Sequence, residues 1–383
     1  MAFYLAFKEV WRNRGRFFLF SLVIALITTL VLFIAGLAQG LSNANKEYLS
    51  KLNAELIVFQ DKVQLSSAAS QIGKSIFNNV RRVQGVKDMG SIGLSSASVL
   101  NPRTGEDIDI SLIGVEPQRP GMPAVLIGSV FRLDNENTVV VDQNLADETG
   151  LNVGDRIEIR SLQGKDYEYY PVEIIGITDG QEYLYRPSIF VPYLTWDKIR
   201  PQPATINKSE FTTNIIAIKV AEDYTPAWVA ARIETQVPDL EVVDKKSAIL
   251  AIPGYLVQQQ TLNTQQGFTL LIGVLVIGGF FQIQMLQKIP LMGVLKAIGT
   301  PNKTVAFAVV SQIVLVSTFG VLLGGLFTLL LSLGIPASVP IIFSGNSVAL
   351  AMLALLAIGP LGGLVSVRLA VSVEPLTALG LTS

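Results

Sequence analysis

Between Phe17 and Ala38 the chain reads FFLFSLVIALITTLVLFIAGLA, without one charged side chain, and no other feature restricts its fold so strongly. A helix rises 1.5 Å per residue, so about 22 residues reach across a hydrocarbon core of roughly 30 Å. Lys8, Arg12, Arg14 and Arg16 stand before the run. A secretory leader shows the same basic-then-apolar order, but its core is only about 7–15 residues long, so a retained membrane helix is expected. Three more uncharged stretches come late: Gly267 to Gln287, Val305 to Leu333 and Ser347 to Val367. Each is long enough to cross a bilayer as a helix, and the expectation is four transmembrane helices.

Lys and Arg near the helix ends set the orientation. The N-terminal segment carries four of them, the connection between the second and third runs carries Lys288, Lys296 and Lys303, and Arg368 opens the tail. The short loop from Gly334 to Asn346 carries none. Four crossings place the three basic segments on one side, which the rule makes cytoplasmic. The chain is thus expected to be an α+β membrane protein of the cell membrane, both termini cytoplasmic. Its expected parts are an amphipathic elbow helix (1–16), a first span (17–41), a large extracytoplasmic α+β domain with helical stalks (42–266) and a second span (267–287). A cytoplasmic helix (288–304), a third span (305–333), a short outside loop (334–346), a fourth span (347–367) and a cytoplasmic tail (368–383) complete it.

The long segment between the first two spans is soluble in character. Short or alternating apolar runs recur at Glu55 to Phe59, Ile108 to Ile113, Thr138 to Val141, Arg156 to Ile159, Pro171 to Ile177, Ser188 to Val191 and Asn214 to Val220. Turn signals such as Asn101-Pro102 and Gln163-Gly164-Lys165 separate them, a pattern of strands. Helical spacing appears at Ser66 to Val83 and at Thr225 to Gln236, where Trp228, Ala231 and Ile233 mark an apolar face behind Pro226. The polar ends, Ser42 to Leu52 and Leu256 to Gln266, read as outward extensions of the first two spans.

Composition removes most enzyme chemistry. There is no Cys and no His, so thiol chemistry, Cys/His zinc sites and Ser-His or Cys-His pairs are absent. Lys plus Arg number 29 against 30 for Asp plus Glu, a balance that does not favour a nucleic-acid partner. Ala68 to Ser75 (AASQIGKS) imitates a relaxed phosphate loop, but it has one glycine and a polar lead-in where a buried strand is required. Asp107 and Asp109 alternate as the solvent face of a strand would. No catalytic residue, no metal site and no intrinsic cofactor is assigned, and the chain is not expected to be an enzyme. No ionisable residue falls inside any span, which disfavours an ion-coupled transporter.

The connection after the second span carries more information. Pro290 is suited to open a short helix and Gly299 to stop it, and such a helix displays Leu291, Met292, Leu295 and Ile298 on one side. Two roles fit an apolar helix at this position: lying in the membrane interface, or serving as a knob for a groove on a cytoplasmic partner. The N-terminal Phe3, Tyr4, Phe7 and Trp11, interleaved with Lys8, Arg12 and Arg16, form an interfacial amphipathic helix. Gly36 and Gly40 form a small-residue face for packing within or between chains, and Gly359-Pro360 with Gly362-Gly363 is expected to bend or break the fourth span.

This layout resembles the MacB/FtsX-type ABC transporter permeases (type VII). Gly293-Val294-Leu295-Lys296-Ala297-Ile298-Gly299 is similar to the family signature after the second span, and Ala6 to Val10 with Arg12, Asn13 and Arg16 to its elbow. Val141-Asp142 through Leu151-Asn152-Val153-Gly154-Asp155 resembles its outer-domain motif, and Arg368-Leu369-Ala370, Glu374-Pro375 and Ala378-Leu379 its tail. Leu32 to Leu41 looks most like the haem-exporting branch. The resemblance implies a homodimer in the lipid bilayer, joined by two copies of a separate cytoplasmic ATPase that binds ATP and Mg. It also implies that Pro290, Leu291, Met292, Gly293, Val294, Leu295, Lys296, Ala297, Ile298 and Gly299 form the coupling helix received by that ATPase. Pro290 stands where the family commonly has an acidic residue.

If haem is the cargo, the absence of His removes its commonest axial ligand, and Tyr48 and Tyr255 are the candidate substrate residues on the two stalks. Three functions follow from the resemblance. They are an exporter permease for haem or another amphipathic molecule, a mechanical signal transmitter that moves nothing, and a lipoprotein or peptide extractor working with a periplasmic adaptor.

Overall fold

The computed structural model describes residues 8, 11–12, 14–202, 212–335 and 339–372. Phe3, Tyr4 and Phe7 of the expected elbow, and Glu374-Pro375 and Ala378-Leu379 of the tail, lie outside the described residues. The first apolar run sits inside a longer helix, α1 (Arg14–Lys51), whose 38 residues extend about 57 Å at the α-helical rise. Two compact units divide the chain: Leu41–Gln258, and Met1–Gly40 with Gln259–Ser383.

The first unit is α+β. In chain order it contains β1 (Leu56–Gln60), α2 (Lys74–Arg81), β2 (Val86–Leu100), β3 (Asp107–Val115), β4 (Val125–Gly128), β5 (Thr138–Asp142) and α3 (Gln143–Thr149). Then follow β6 (Arg156–Gln163), β7 (Asp166–Thr178), β8 (Ser188–Pro192), α4 (Tyr193–Ile199), β9 (Ile215–Val220), α5 (Pro226–Gln236), β10 (Leu240–Asp244) and α6 (Lys245–Leu250). The ten strands form one sheet in the order β10-β1-β9-β2-β3-β8-β5-β7-β4, with β6 paired to β2 and β7. Pairing is antiparallel except for β3 with β8 and β5 with β7.

Alternation along the strands builds a core on each face. Ile57 and Phe59 of β1, Ile215 and Ala217 of β9 and Phe190 of β8 pack with Tyr48, Leu49 and Leu52 at the end of α1. Leu56, Val58, Ile216 and Ile218 point the other way, under Val80 of α2 and Val229 and Ile233 of α5. Ile189 and Val191 pack under Leu145 of α3 and Trp196 of α4. Trp196 fits a slot made by Gly93 and Gly114, which face each other across β2 and β3. A Cβ on either glycine would come 2.4 Å from the indole side chain.

Two expectations need correction here. The helix anticipated at Ser66 to Val83 is confined to α2, because local side chains claim the backbone before it. Gln60 N–H donates to Ser70 Oγ, and Asn214 Nδ2 to the carbonyls of Ser67 and Ser70. Ile72–Gly73 then pairs with Thr212–Thr213. In α5 the buried face is Val229 and Ile233 rather than Trp228, which stacks on Tyr224 and stays partly exposed. Asp107 and Asp109 are exposed as the alternation requires, and pair with Arg160 and Arg186.

The helical unit combines the first part of α1 with α7 (Tyr255–Leu286), α8 (Ile289–Ala297), α9 (Asn302–Ser332) and α10 (Gly345–Ser372). Among the described residues α1, α7 and α9 are long and apolar enough to cross a membrane, while the apolar part of α10, Val348–Gly363, is shorter. Glycines let the helices touch, as bilayer packing requires. A Cβ on Gly320 or Gly324 of α9 would lie 2.6 Å from Ile24 Cβ or 2.5 Å from Thr28 Cβ of α1. Gly278 of α7 and Gly362 of α10 meet in the same way. Gly36 and Gly40 pack within the chain, against Phe343 and Pro340, and Gly36 O accepts Ile342 N–H at 3.1 Å. Pro360 does not break α10, which continues through it with Gly359 and Gly363 seated on Ser317 and Ile313 of α9.

Candidate functional site

The nine-residue α8 opens with Pro290 in its first turn. It closes with Ile298 N–H on Val294 O and Gly299 N–H on Lys296 O. Gly299 has φ +93°, a conformation that glycine adopts at no steric cost and other residues resist. Met292 is only 5% exposed and belongs to the helical core with Phe17, Met285, Val305 and Val309. Val294 and Ile298 are 40% and 78% exposed, and Pro290 and Ala297 are also exposed. Positions i, i+4, i+7 and i+8 lie on one side of a helix, so Pro290, Val294, Ala297 and Ile298 make one uncovered apolar stripe.

This corrects the expected face. Met292 faces inward, Ile298 outward, and the side chains of Leu291 and Leu295 lie outside the described residues. Composition could not choose between the faces, because both sides of α8 are apolar. Three cations brace the region. Lys288 Nζ donates to Gln312 Oε1 of α9 at 3.2 Å and lies 5.5 Å from the centre of the Phe17 ring. Lys296 Nζ donates to the Val371 carbonyl of α10, and Arg16 of α1 donates to Gln287 Oε1 at 3.0 Å. Any force applied to the stripe therefore meets a helix tied to α1, α9 and α10.

The two candidate tyrosines belong to the α+β unit. Tyr48 is 1% exposed, and its hydroxyl donates to the Gly121 carbonyl at 3.0 Å. Burial, with a smaller effect from Tyr183, holds its pKa well above that of an ordinary phenol. Within the α+β unit Tyr48 is a core residue. Tyr255 is 3% exposed, and its hydroxyl meets Ser42 Oγ at 3.1 Å and Lys46 Nζ at 3.0 Å. Both hydroxyls are thus engaged within the chain. Of the outer-domain motif, Asp142 is fully buried and caps α3: Oδ1 accepts Asn144 N–H, and Oδ2 accepts Gln181 N–H at 2.9 Å. Burial raises its pKa to about 7 against these donors. Among the described residues no cluster of acidic side chains is arranged to hold a metal ion.

A family model for the MacB-like periplasmic core domain matches residues 17–236, and one for the FtsX-like permease C-terminal region matches residues 267–375. A putative hemin transport system permease protein HrtB of Staphylococcus haemolyticus is 27% identical over 378 residues, covering 98% of this chain and 99% of that protein. An uncharacterized ABC transporter permease of Mycobacterium tuberculosis is 24% identical over 391 residues, again covering 98% and 99%. Among solved structures, the periplasmic region of MacB from Actinobacillus actinomycetemcomitans aligns with a TM-score of 0.38 and 14% identity, over 54% of this chain and 96% of that one. The first family model alone takes in more than half of the sequence and the second takes in most of the remaining helices, so the chain belongs to the MacB/FtsX-type ABC transporter permeases.

Proposed function

We propose that this chain is the membrane subunit of an ATP-driven exporter whose cargo is haem or another amphipathic molecule. Two copies of the chain assemble with two copies of a cytoplasmic ATPase, which binds ATP and Mg. The uncovered apolar stripe of α8, flanked by Lys288 and Lys296, carries the reading. It lies between two long apolar helices, in a connection whose basic residues favour the cytoplasmic side. In this reading the chain crosses the membrane four times, and ATP-driven closure of the ATPase pair pushes on the stripe. The helices pass the motion to the α+β unit. Haem as cargo is supported by the full-length similarity to proteins named as hemin permeases. Tyr48 and Tyr255 are not proposed as its ligands in the conformation described.

The test is ATP hydrolysis by the chain co-purified with its ATPase in lipid, titrated with haem and with unrelated lipophiles. Stimulation by haem alone supports haem export. Stimulation by other lipophiles assigns a different cargo. An intact complex that responds to none of them overturns transport in favour of a mechanical transmitter.

A further inference from the structure

The loop between β7 and β8 ends in a tight turn, Tyr183–Arg186, whose two outer residues exchange both backbone hydrogen bonds, at 3.1 and 3.2 Å. Leu184 and Tyr185 at its tip have φ +53° and +62°. That is the type I′ arrangement, which favours Asn-Gly because two consecutive left-handed residues strain side chains with a Cβ. Here the strained pair is Leu-Tyr, and it reaches into helix α1. Tyr48 N–H donates to Glu182 O at 3.1 Å, Tyr185 N–H to Ala44 O at 2.9 Å and Leu184 N–H to Asn45 O at 3.4 Å. Ala44 O and Tyr48 N–H are the i, i+4 partners of one helical step. The turn engages both members of that step.

The roots of the turn are fixed in the sheet. Asp142 Oδ2 holds Gln181 N–H, and Ser188 Oγ donates to Gln181 O at 2.6 Å. Tyr183 gives its carbonyl to Ser111 Oγ at 2.7 Å, and its hydroxyl meets Ser67 Oγ at 2.6 Å. The tip is wetter: Leu184 and Tyr185 are 38% and 48% exposed. The Tyr185 hydroxyl accepts from Asn45 Nδ2 at 3.1 Å and also donates to Gln258 Oε1 of α7. Asn45 is fully buried, yet its Oδ1 meets no partner. A half-satisfied buried amide beside a strained tip is costly to hold in one state.

We infer that the turn Tyr183–Arg186 is a latch on α1, engaged or released at Ala44, Asn45 and Tyr48. Engaged, the turn joins α1 to the sheet and, through Tyr185 and Gln258, to α7. Released, α1 keeps only its helical partners at Ala44 and Tyr48, and the tip amides are hydrated. Release trades three direct backbone bonds for bonds to water, at a strained tip beside a half-satisfied amide, and so separates two states by little free energy, which is what a two-state element requires. The inference rests on the transmission reading above, and assigns the place where movement of α1 is either passed to the sheet or uncoupled from it.

The test is hydrogen–deuterium exchange of the Leu184 and Tyr185 amides in the full chain in lipid nanodiscs, first without the ATPase. Both amides should be protected in the wild type. Leu184→Asn, which tolerates the left-handed region, should slow their exchange several-fold after correction for intrinsic rates. Tyr185→Phe, which deletes the hydroxyl contacts and keeps the backbone, should accelerate it several-fold, with the β1 amides unchanged as the folding control. Free-peptide exchange of both amides in the wild type, or identical rates in all three proteins, overturns the latch. Adding the ATPase and ATP should change the rates. Unchanged rates beside haem-stimulated hydrolysis overturn the latch and leave transport standing. Responsive variants without any stimulated hydrolysis leave the latch standing and overturn transport.

Discussion

The two faces of α8 make opposite predictions, and a pair of substitutions separates them. Ile298 is 78% exposed, so its replacement should hardly touch the fold. Exposed substitutions of this kind stay within about 0.5 kcal/mol. If the ATPase covers the stripe, the same residue is buried on docking. Full burial of an isoleucine contributes about 1.5–3 kcal/mol, and about three quarters of that remains to be gained here. Near 2 kcal/mol, at about 1.4 kcal/mol per decade, the loss of the side chain corresponds to roughly thirtyfold in affinity. Ile298→Asp adds the desolvation of a carboxylate, taking the loss beyond about a hundredfold.

Met292 should do the reverse. It is buried against Phe17, Met285 and Val305, and a buried Met→Ala replacement costs about 2–5 kcal/mol of fold stability. It offers no surface to the ATPase. The assay is a binding titration of the detergent-purified ATPase against each variant, with the thermal midpoint of the free chain measured in parallel. Ile298→Asp should lose binding at an unchanged midpoint, and Met292→Ala should lower the midpoint with binding kept. Ile298→Asp binding within threefold of the wild type would sink the assignment of the stripe as the docking face.

Three further outcomes are expected. Asp142 has its folded-state pKa raised from 3.8 to about 7, so its contribution is fully present below about pH 4 and is lost as the pH rises through about 7, to an upper bound of about 4 kcal/mol. Asp142→Asn should flatten the decline in stability of the α+β unit between about pH 4 and 7, read by pulse proteolysis; a pH-independent difference between the two proteins would count against it. Trp196→Ala should destabilise that unit by about 3–5 kcal/mol. Gly114→Ala should destabilise it too, and the double variant should lose clearly less than the sum, since the added methyl then occupies the vacated slot; strict additivity in the unfolding data would refute the steric fit. In the helical unit Gly324→Ala should cost about 1–3 kcal/mol by overpacking on Thr28. Gly279→Ala, which meets nothing within 4 Å, should not shift the detergent melting midpoint, and equal shifts in both would refute the close packing of α9 on α1 at Gly324.

What could be read in advance follows from how many solutions each segment had. An uncharged run of about twenty residues has few places to go other than a membrane or a deep core, so α1, α7 and α9 were visible from composition. Strands such as Thr138–Asp142 and Ser188–Pro192 declared themselves because both of their faces are buried and apolar. β2 did not: its VKDMGSIGLSSASVL is rich in Ser and Gly, and its strand state is set by the β3, β6 and β9 partners on its flanks. The Ser66–Ser70 segment kept a helical pattern, but Gln60 and Asn214 took the backbone partners a helix would have needed. The tip at Leu184-Tyr185 carries no Asn or Gly, so nothing local announced a type I′ turn. On α8 the apolar character of both sides hid which one was free.

The absence of charge in the spans also limits how such a chain can be driven. A carrier powered by protons or ions keeps a titratable or ion-binding side chain within its membrane segments, and none of the four uncharged runs contains one. Nor is the segment that imitates a phosphate loop one: Ile72–Gly73 is a paired strand and Lys74 begins α2. In the function proposed above, work enters as force on a surface, and force is useful only where the recipient is stiff. α8 has that property. Met292 is set in the core, Lys288 holds Gln312, Lys296 holds the end of α10, and Arg16 ties the start of α1 to Gln287 just ahead of α8. A short helix that merely floated in the interface would need none of these ties. Their presence beside an uncovered apolar stripe is what favours a docking knob over an interfacial anchor.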